Sequence, residues 1–209
     1  MSEENNDAMV QNEVAVKGIV EMGHSGATLC FLFAVLSFLF CGSMLGLYGE
    51  GTTLVVGIVQ LGVFPAYHIC AQNLLKQGLA FDGNVFMIFG ALFALVGGAL
   101  NVTGVFLDMA GIAFSSSAQG VVWLLSGILL LLILPGARKS PLVSFILYIC
   151  GGLGLTIMGL VMIGIAPVEF NMVVGVLFAG AGTCGFLCCL SAMNGFTGIN
   201  IPLGKPLFK

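Results

Sequence analysis

Charge is the property that this 209-residue chain has least of. Asp, Glu, Lys and Arg together make up 7% of its residues, while apolar residues make up 59%. A soluble globular protein needs more polar side chains than this to cover its surface. The composition therefore excludes an ordinary soluble domain and predicts a polytopic membrane protein.

Basic residues are absent from one side of the membrane that the sequence predicts. Runs of about 20 apolar residues can cross the hydrocarbon core as helices. The runs are Ala27 to Tyr48, Thr53 to Leu75, Gly83 to Leu107, Ala118 to Leu134, Leu142 to Ile165 and Met172 to Met193. The Lys and Arg residues all precede the first run or follow an even-numbered one: Lys17, Lys76, Arg138, Lys139, Lys205 and Lys209. The other loops carry only Glu50, Asp108 and Glu169, so the positive-inside rule predicts two cytoplasmic termini.

The predicted fold is an all-α integral membrane protein, a six-transmembrane-helix bundle with cytoplasmic N- and C-termini. Residues 1–22 are polar and acidic and are predicted to form a disordered cytoplasmic tail. Residues 23–195 form the six-helix domain, and residues 196–209 form a cytoplasmic C-terminal tail. The spans leave no room for a catalytic or nucleic-acid-binding domain. Because the first run begins near Ala27 and is long enough to span, we expect no cleavable signal peptide and a multi-pass protein of the cell or cytoplasmic membrane.

Small residues stand one helical turn apart in several predicted spans, and the chain has 31 glycines. Such pairs let helix backbones approach closely in a membrane. The pairs are Gly42 and Gly46, Ala94 and Gly98, and Gly175 and Ala179. A single pair can arise by chance because glycine is common in transmembrane helices, but together they predict a compact bundle.

The link between the second and third runs has the sequence K-Q-G-L-A-F-D-G-N over residues 76–84. Its glycines suit a broken entry into the third helix, which is tolerated at membrane depth only where the freed backbone faces protein or a water-filled cavity. They suit an ordinary tight cytoplasmic turn equally well.

Several stretches of the chain share a pattern with a known family of membrane transporters. Residues 78–90, G-L-A-F-D-G-N-V-F-M-I-F-G, follow a motif close to G-N-T-F-G-x-T-A-F-x-S-Y-G, with Phe89 in place of the Tyr. Residues 136–138 are G-A-R, as at the end of the family's fourth span. Residues 180–183, G-A-G-T, are followed by Phe196 and by I-P-L-G at 201–204 with the family's spacing. The chain thus resembles the acetate uptake transporters, also called the succinate-acetate/proton symporter family.

The resemblance implies a funnel-shaped six-helix protomer, a homohexamer and a narrow apolar constriction. The constriction residues of the family match Phe33, Phe89 and Leu147, with Phe31 as the alternative to Phe33. The family's N-P-x-P-L-G-L signature is missing, since residues 24–29 are H-S-G-A-T-L and keep only the final Leu. That signature lies at the substrate path, so its loss leaves the substrate open.

No Asp, Glu, Lys or Arg falls inside the predicted spans, which argues against a pump with a buried carboxylate relay. An interior without charge suits a small solute that crosses neutral, or as an anion held by hydroxyls, amides and helix N-termini. A short monocarboxylic acid is such a solute. With a carboxyl pKa of about 4 it is mostly ionised at neutral pH, so proton-coupled uptake requires protonation on the way.

His68 is the only imidazole in a predicted span and is a candidate for binding and releasing that proton. Tyr67 and Asn84 are the other candidate polar or proton-coupling groups. The alternative for His68 is a neutral side chain hydrogen-bonded between helices. His24 is predicted to be a solvated tail residue.

The cysteines all lie in predicted spans, where disulfides are not expected: Cys30, Cys41, Cys70, Cys150, Cys184, Cys188 and Cys189. Cys184 and Cys188 stand one turn apart and offer two soft metal ligands. No CxxC, no histidine at ligand spacing and no acidic entry site accompanies them. We therefore predict no metal and no other cofactor.

A transporter or channel for acetate-like small monocarboxylates is the leading prediction, with succinate as a further substrate and proton coupling left open. One alternative is a channel for a neutral small solute or ammonia, which the missing signature permits. Another is a non-transporting membrane sensor or scaffold. An enzyme is not predicted, because no catalytic carboxylate pair, Ser/His/Asp set or metal cluster appears. The expected partners are a small carboxylate, the lipid bilayer and further copies of the chain, without nucleic acid.

Overall fold

The structure, a computed structural model, describes residues 25–207 of the chain. These residues form helices and no strand. The long helices are α1 Ser25–Met44, α2 Thr52–Lys76, α3 Ala80–Met109, α4 Ser116–Leu132, α5 Leu142–Ile163 and α6 Asn171–Ala192, and a short α7 Asn194–Thr197 follows. Two single 3₁₀ turns, Leu134–Ala137 and Val168–Phe170, precede α5 and α6.

Five helical stretches in residues 25–207 are long and apolar enough to cross a membrane: α1, α2, α3, α5 and Val168–Ala192, which contains α6. The fourth helix is also apolar but has 17 residues, the lower limit of about 17 for a span. It ends at Leu132, earlier than predicted, because Pro135 in the following 3₁₀ turn cannot continue the α-helical hydrogen bonds. The all-helical, membrane-type fold is confirmed, while the count of six spans and the orientation of the termini stay predictions.

The long helices pack around one core in the order of the chain. α1 contacts α2 and α6, α2 contacts α3, α3 contacts α4, and α5 lies between α4 and α6. Glycines bring α4 and α5 into backbone contact. A Cβ atom built on Gly120 would lie 3.0 Å from the carbonyl oxygen of Gly159, and one on Gly127 would lie 2.6 Å from that of Gly152.

Two of the three predicted small-residue pairs lie at helix contacts. A Cβ on Gly98 would lie 2.9 Å from the carbonyl oxygen of Gly57 on α2, and one on Gly175 would lie 3.3 Å from a carbonyl oxygen of α1. The pair Gly42 and Gly46 is wrong as a helix contact. Gly46 follows the end of α1 and adopts a φ of 66° in the turn that leaves it.

The link between α2 and α3 is a tight turn and not a broken helix entry. α2 ends at Lys76, and Gly78 adopts a φ of 78°, a left-handed conformation that glycine takes without strain. The backbone N–H of Leu79 donates to the carbonyl oxygen of Leu74 at 3.0 Å, which closes the end of α2 like a Schellman cap.

The third helix differs from its prediction at both its start and its middle. It begins at Ala80 instead of Gly83, because the turn before it is complete at Leu79, and it therefore includes Asp82. Residues Gly90–Val96 form a π-helical segment in the middle of α3. Such segments are rare and are often found at functional sites.

The segment after α6 returns to the bundle. The carbonyl oxygen of Leu203 accepts a hydrogen bond of 3.0 Å from the N–H of Val143, so this segment satisfies one of the free donors at the N-terminus of α5. The predicted N-terminal tail 1–22, the predicted tail residue His24 and the last two residues, 208–209, lie outside the described residues.

Candidate functional site

The two ends of the bundle differ in charge. The end that we term the basic end has the described residues Lys76, Arg138, Lys139 and Lys205, and the acidic end has Glu50, Asp108 and Glu169. A cavity of about 620 Å³, the central cavity, opens at the basic end among α1, α2, α3, α5 and α6. Hydroxyl, amide and carboxylate side chains line it: Ser25, Gln77, Asp82, Ser140, Ser144, Tyr148 and Ser191.

Asp82 corrects the prediction that the spans hold no charge. The residue lies in the first turn of α3, where the positive end of the helix dipole favours a carboxylate, and it lines the central cavity. No Lys or Arg is among the described residues that line this cavity. The cavity therefore offers a solute hydroxyls, an amide and one carboxylate, but no cation.

Six buried aromatic side chains, the aromatic cluster, fill the middle of the bundle: Phe33, Phe40, Phe89, Phe93, Trp123 and Phe178. Their neighbouring ring centroids are 4.8 to 5.8 Å apart, the spacing of packed aromatic pairs. Cys30 and Phe86 line the central cavity, and Phe33 and Phe89 follow them by one helical turn. The cluster thus begins where the cavity ends.

The residues that match the family's constriction lie close together in space. The rings of Phe33 and Phe89 have centroids 5.5 Å apart. Leu147 lines the central cavity, and one turn later a Cβ on Gly151 would lie 3.3 Å from the Phe33 ring. Phe31, the alternative to Phe33, points outward with 45% of its surface exposed.

A chain of amide hydrogen bonds, which we call the amide ladder, follows the aromatic cluster towards the acidic end. Nε2 of Gln119 on α4 donates to Oδ1 of Asn101 on α3 at 2.7 Å. Nδ2 of Asn101 donates to Oε1 of Gln60 on α2 at 2.7 Å. Nε2 of Gln60 donates to the carbonyl oxygen of Phe93 in the π-helical segment. The ladder therefore links three helices and ends on a residue of the aromatic cluster.

The amide ladder also borders a second opening. A cavity of about 220 Å³, the acidic-end cavity, is lined by Asn101 and Gln119 together with Thr53 and Asp108. No Lys or Arg is among the described residues that line it. Central cavity, aromatic cluster, amide ladder and acidic-end cavity thus form a series from one end of the bundle to the other.

The three candidate proton-coupling residues lie in three different places. His68 is exposed on the outer face of α2, with its Nε2 3.0 Å from Nε2 of Gln72, so its partner lies on its own helix. Tyr67 is fully buried. Asn84 donates to the carbonyl oxygen of Ala80 at 2.7 Å and lines a cavity of about 290 Å³ between α3 and α4, which Phe89 also lines.

The cysteines are all free and lie in α1, α2, α5 and α6. Within residues 25–207, no group of three or more His, Cys, Asp or Glu side chains is placed to hold a metal ion. Cys188 lines the central cavity, and its Sγ lies 3.4 Å from Oγ of Ser144.

Sequence reasoning missed Asp82, Gln60, Asn101 and Gln119 as residues of the site. The amides did leave a signal, because an uncharged polar side chain in a membrane helix tends to bond another helix. What the sequence did not reveal is that the three amides meet, since they stand 41 and 18 residues apart along the chain.

The fold is shared with a solved membrane channel. The structure of the bacterial acetate channel SatP superposes with a TM-score of 0.73 over 90% of this chain and 99% of that chain, at 13% sequence identity. The sequence matches no protein-family model and no curated protein. At this identity the likeness shows the fold, and at that level it agrees with the resemblance drawn from the motifs.

Proposed function

We propose that the chain is a membrane channel or transporter for acetate-like small monocarboxylates, with succinate as a further substrate. The observation that carries the proposal is the series of central cavity, aromatic cluster, amide ladder and acidic-end cavity, which leads from the basic end of the bundle to the acidic end. The shared fold with an acetate channel supports it. The protein acts in this proposal as a conduit and not as an enzyme.

The constriction of the conduit is made by Phe33, Phe89 and Leu147. Their side chains are apolar and at most 8% exposed, so they exclude water and hydrated ions. The Phe33 and Phe89 rings are in packing contact, so a solute passes only when these side chains move apart. The carboxyl group of the solute then exchanges hydrogen bonds with the polar groups on either side, which amides provide as both donors and acceptors.

The charges of the two cavities favour the protonated acid over the anion. Asp82 lines the central cavity and Asp108 lines the acidic-end cavity, and neither lining includes Lys or Arg among the described residues. Like charges repel strongly where water is scarce. The same charges favour the second candidate function, a channel for a neutral small solute such as ammonia.

The proposed assembly and location rest on the resemblance of the sequence to the acetate uptake transporters. We propose a homohexamer in the cell or cytoplasmic membrane, with symport as the form of proton coupling. Large apolar side chains on the outer faces of the helices, such as Ile58, Ile69 and Val176, suit contact with lipid or with further copies. Native mass determination in detergent tests the hexamer.

Uptake of labelled acetate into proteoliposomes tests the function, with empty liposomes as the background and an imposed pH gradient as the drive. Phe89→Ala should raise flux or admit larger carboxylates, because it widens the constriction. Phe31→Ala is the matched control, since Phe31 is exposed on the outer face, and we expect it to leave flux and selectivity unchanged.

Three outcomes separate the alternatives. If acetate uptake equals that of empty liposomes while ammonia flux is rapid, the protein is a channel for a neutral solute and not for a monocarboxylate. Unchanged selectivity in well-folded Phe89→Ala means that Phe89 is an ordinary packing residue and not part of a constriction. A Phe→Ala change at such a core position costs about 3–5 kcal/mol of stability. Absence of flux for every solute removes the transport proposal.

A further inference from the structure

Two buried hydroxyl groups in the middle of the bundle have no hydrogen-bond partner within the described residues. They are Oγ of Ser37 on α1 and the phenol oxygen of Tyr67 on α2, and both side chains are 0% exposed. An unpaired buried hydroxyl destabilises a folded chain, so its presence calls for an explanation. A group that is bonded only while a solute passes is one.

Tyr67 lies midway between the central cavity and the amide ladder. Gln60, Tyr67 and Leu74 are buried on α2 at seven-residue spacing, which puts them on one face of the helix at intervals of about 10 Å. Leu74 lines the central cavity, and Gln60 belongs to the amide ladder. Tyr67 therefore stands between the two polar regions.

Tyr67 contacts the wall of the central cavity, and Ser37 lies next to residues of the aromatic cluster along α1. The Tyr67 ring has its centroid 6.3 Å from that of Phe86, which lines the central cavity. A Cβ on Gly90, the residue after Phe89, would lie 3.0 Å from Cβ of Tyr67. Ser37 lies one turn from both Phe33 and Phe40 on α1.

We propose that the hydroxyls of Tyr67 and Ser37 form hydrogen bonds with the solute as it passes the aromatic cluster. The proposal rests on the proposed function and names residues of its path that the constriction does not include. Each hydroxyl both donates and accepts a hydrogen bond, as does a protonated carboxyl group. The ligand class is therefore a small neutral molecule with a donor and an acceptor, of which acetic acid is one.

The variants Tyr67→Phe and Ser37→Ala test the proposal, because each removes only the hydroxyl. Neither hydroxyl has a hydrogen-bond partner among residues 25–207, so the melting temperature should stay the same or rise. Acetate flux per folded protein should fall roughly tenfold for Tyr67→Phe, the effect of one lost hydrogen bond on a rate, and further in the double variant.

Tyr48→Phe and Thr183→Val are the matched controls, since the Tyr48 hydroxyl donates to the carbonyl oxygen of Phe38 and that of the exposed Thr183 donates to Ala179 on its own helix. We expect both to conduct like the parent. Parent-level flux in Tyr67→Phe and Ser37→Ala overturns this inference alone, as does a lower melting temperature with unchanged flux per folded protein, which marks a structural role. A parent protein without flux overturns the proposed function and this inference with it.

Discussion

The half of the bundle at the basic end (the basic half) and the half at the acidic end (the acidic half) differ in whether their polar side chains face an open cavity or bond one another. In the basic half, the polar side chains line a cavity of about 620 Å³, where a solute or water can meet them. In the acidic half, the cavity is about 220 Å³, and the amides next to it are bonded to one another. On the proposed path, a solute enters the first half freely, whereas in the second it must replace an existing hydrogen bond.

This difference indicates what substitutions in each half should change. Side chains that border an open cavity have room, so substitutions there change the solute path more than the fold. Side chains of the amide ladder hold three helices together, and removing one leaves its partners unpaired in an apolar interior, which is costly. The basic half is therefore expected to set access, and the acidic half to set both stability and selectivity.

Orientation gives the largest expected difference between the two ends. Single cysteines at Ser140 and Lys205, on a background without the seven native cysteines, should react with a membrane-impermeant thiol reagent from the cytoplasm only. Single cysteines at Glu50 and Glu169 should react from outside only, because basic loops stay on the cytoplasmic side. Labelling of Ser140 and Glu169 from the same face refutes the six-span topology.

Gln60→Leu should cause the largest loss of stability in the acidic half. It leaves the Phe93 carbonyl and the Asn101 amide without their partner, at about 1–3 kcal/mol for each group. Gln72→Leu is the control, since Gln72 is exposed and its side chain bonds only His68 among residues 25–207, and its effect should stay within about 0.5 kcal/mol. Thermal melting followed by gel filtration measures both. Equal melting temperatures for the two variants would show that the amide ladder does not stabilise the fold.

Gly97→Ala and Gly26→Ala compare the packed middle with the open cavity directly. A Cβ on Gly97 would collide with the Trp123 ring, while one on Gly26, which lines the central cavity, meets nothing within 4 Å. We expect Gly97→Ala to lose about 1–3 kcal/mol through overpacking. Gly26→Ala should gain up to about 1 kcal/mol, because alanine favours helix over glycine. A loss in both variants means that the central cavity is as tightly packed as the middle.

The sequence predicted the helices better than the site. Long apolar runs are decided by local composition, so the predicted spans overlap the observed helices. Helix ends depend on turns, and the earlier start of α3 at Ala80 follows from the Gly78 turn, which the sequence left undecided. That small shift moved Asp82 from a loop into the wall of the central cavity.

The inward or outward direction of a side chain is harder to predict in a membrane bundle, because both faces of a helix are apolar. A motif fixed Phe89, and its position is buried. Nothing local separated Phe33 from Phe31, or the buried Tyr67 from the exposed His68 beside it. Only the packing of α2 against α1 and α3 distinguishes Tyr67 from His68.

His68→Gln should have the smallest effect, since His68 lies outside both halves of the proposed path. Its side chain is exposed on the outer face of α2 and bonded to Gln72, and it lines neither the central nor the acidic-end cavity. Glutamine keeps the hydrogen-bonding capacity and removes the titration. Acetate accumulation driven by an inward proton gradient should persist at the parent level, because the acid carries its own proton. Accumulation that is lost while acetate still equilibrates down its own gradient would make His68 the coupling group. It would also move part of the path to the outer face of α2, where a contact between copies of the chain would have to enclose it.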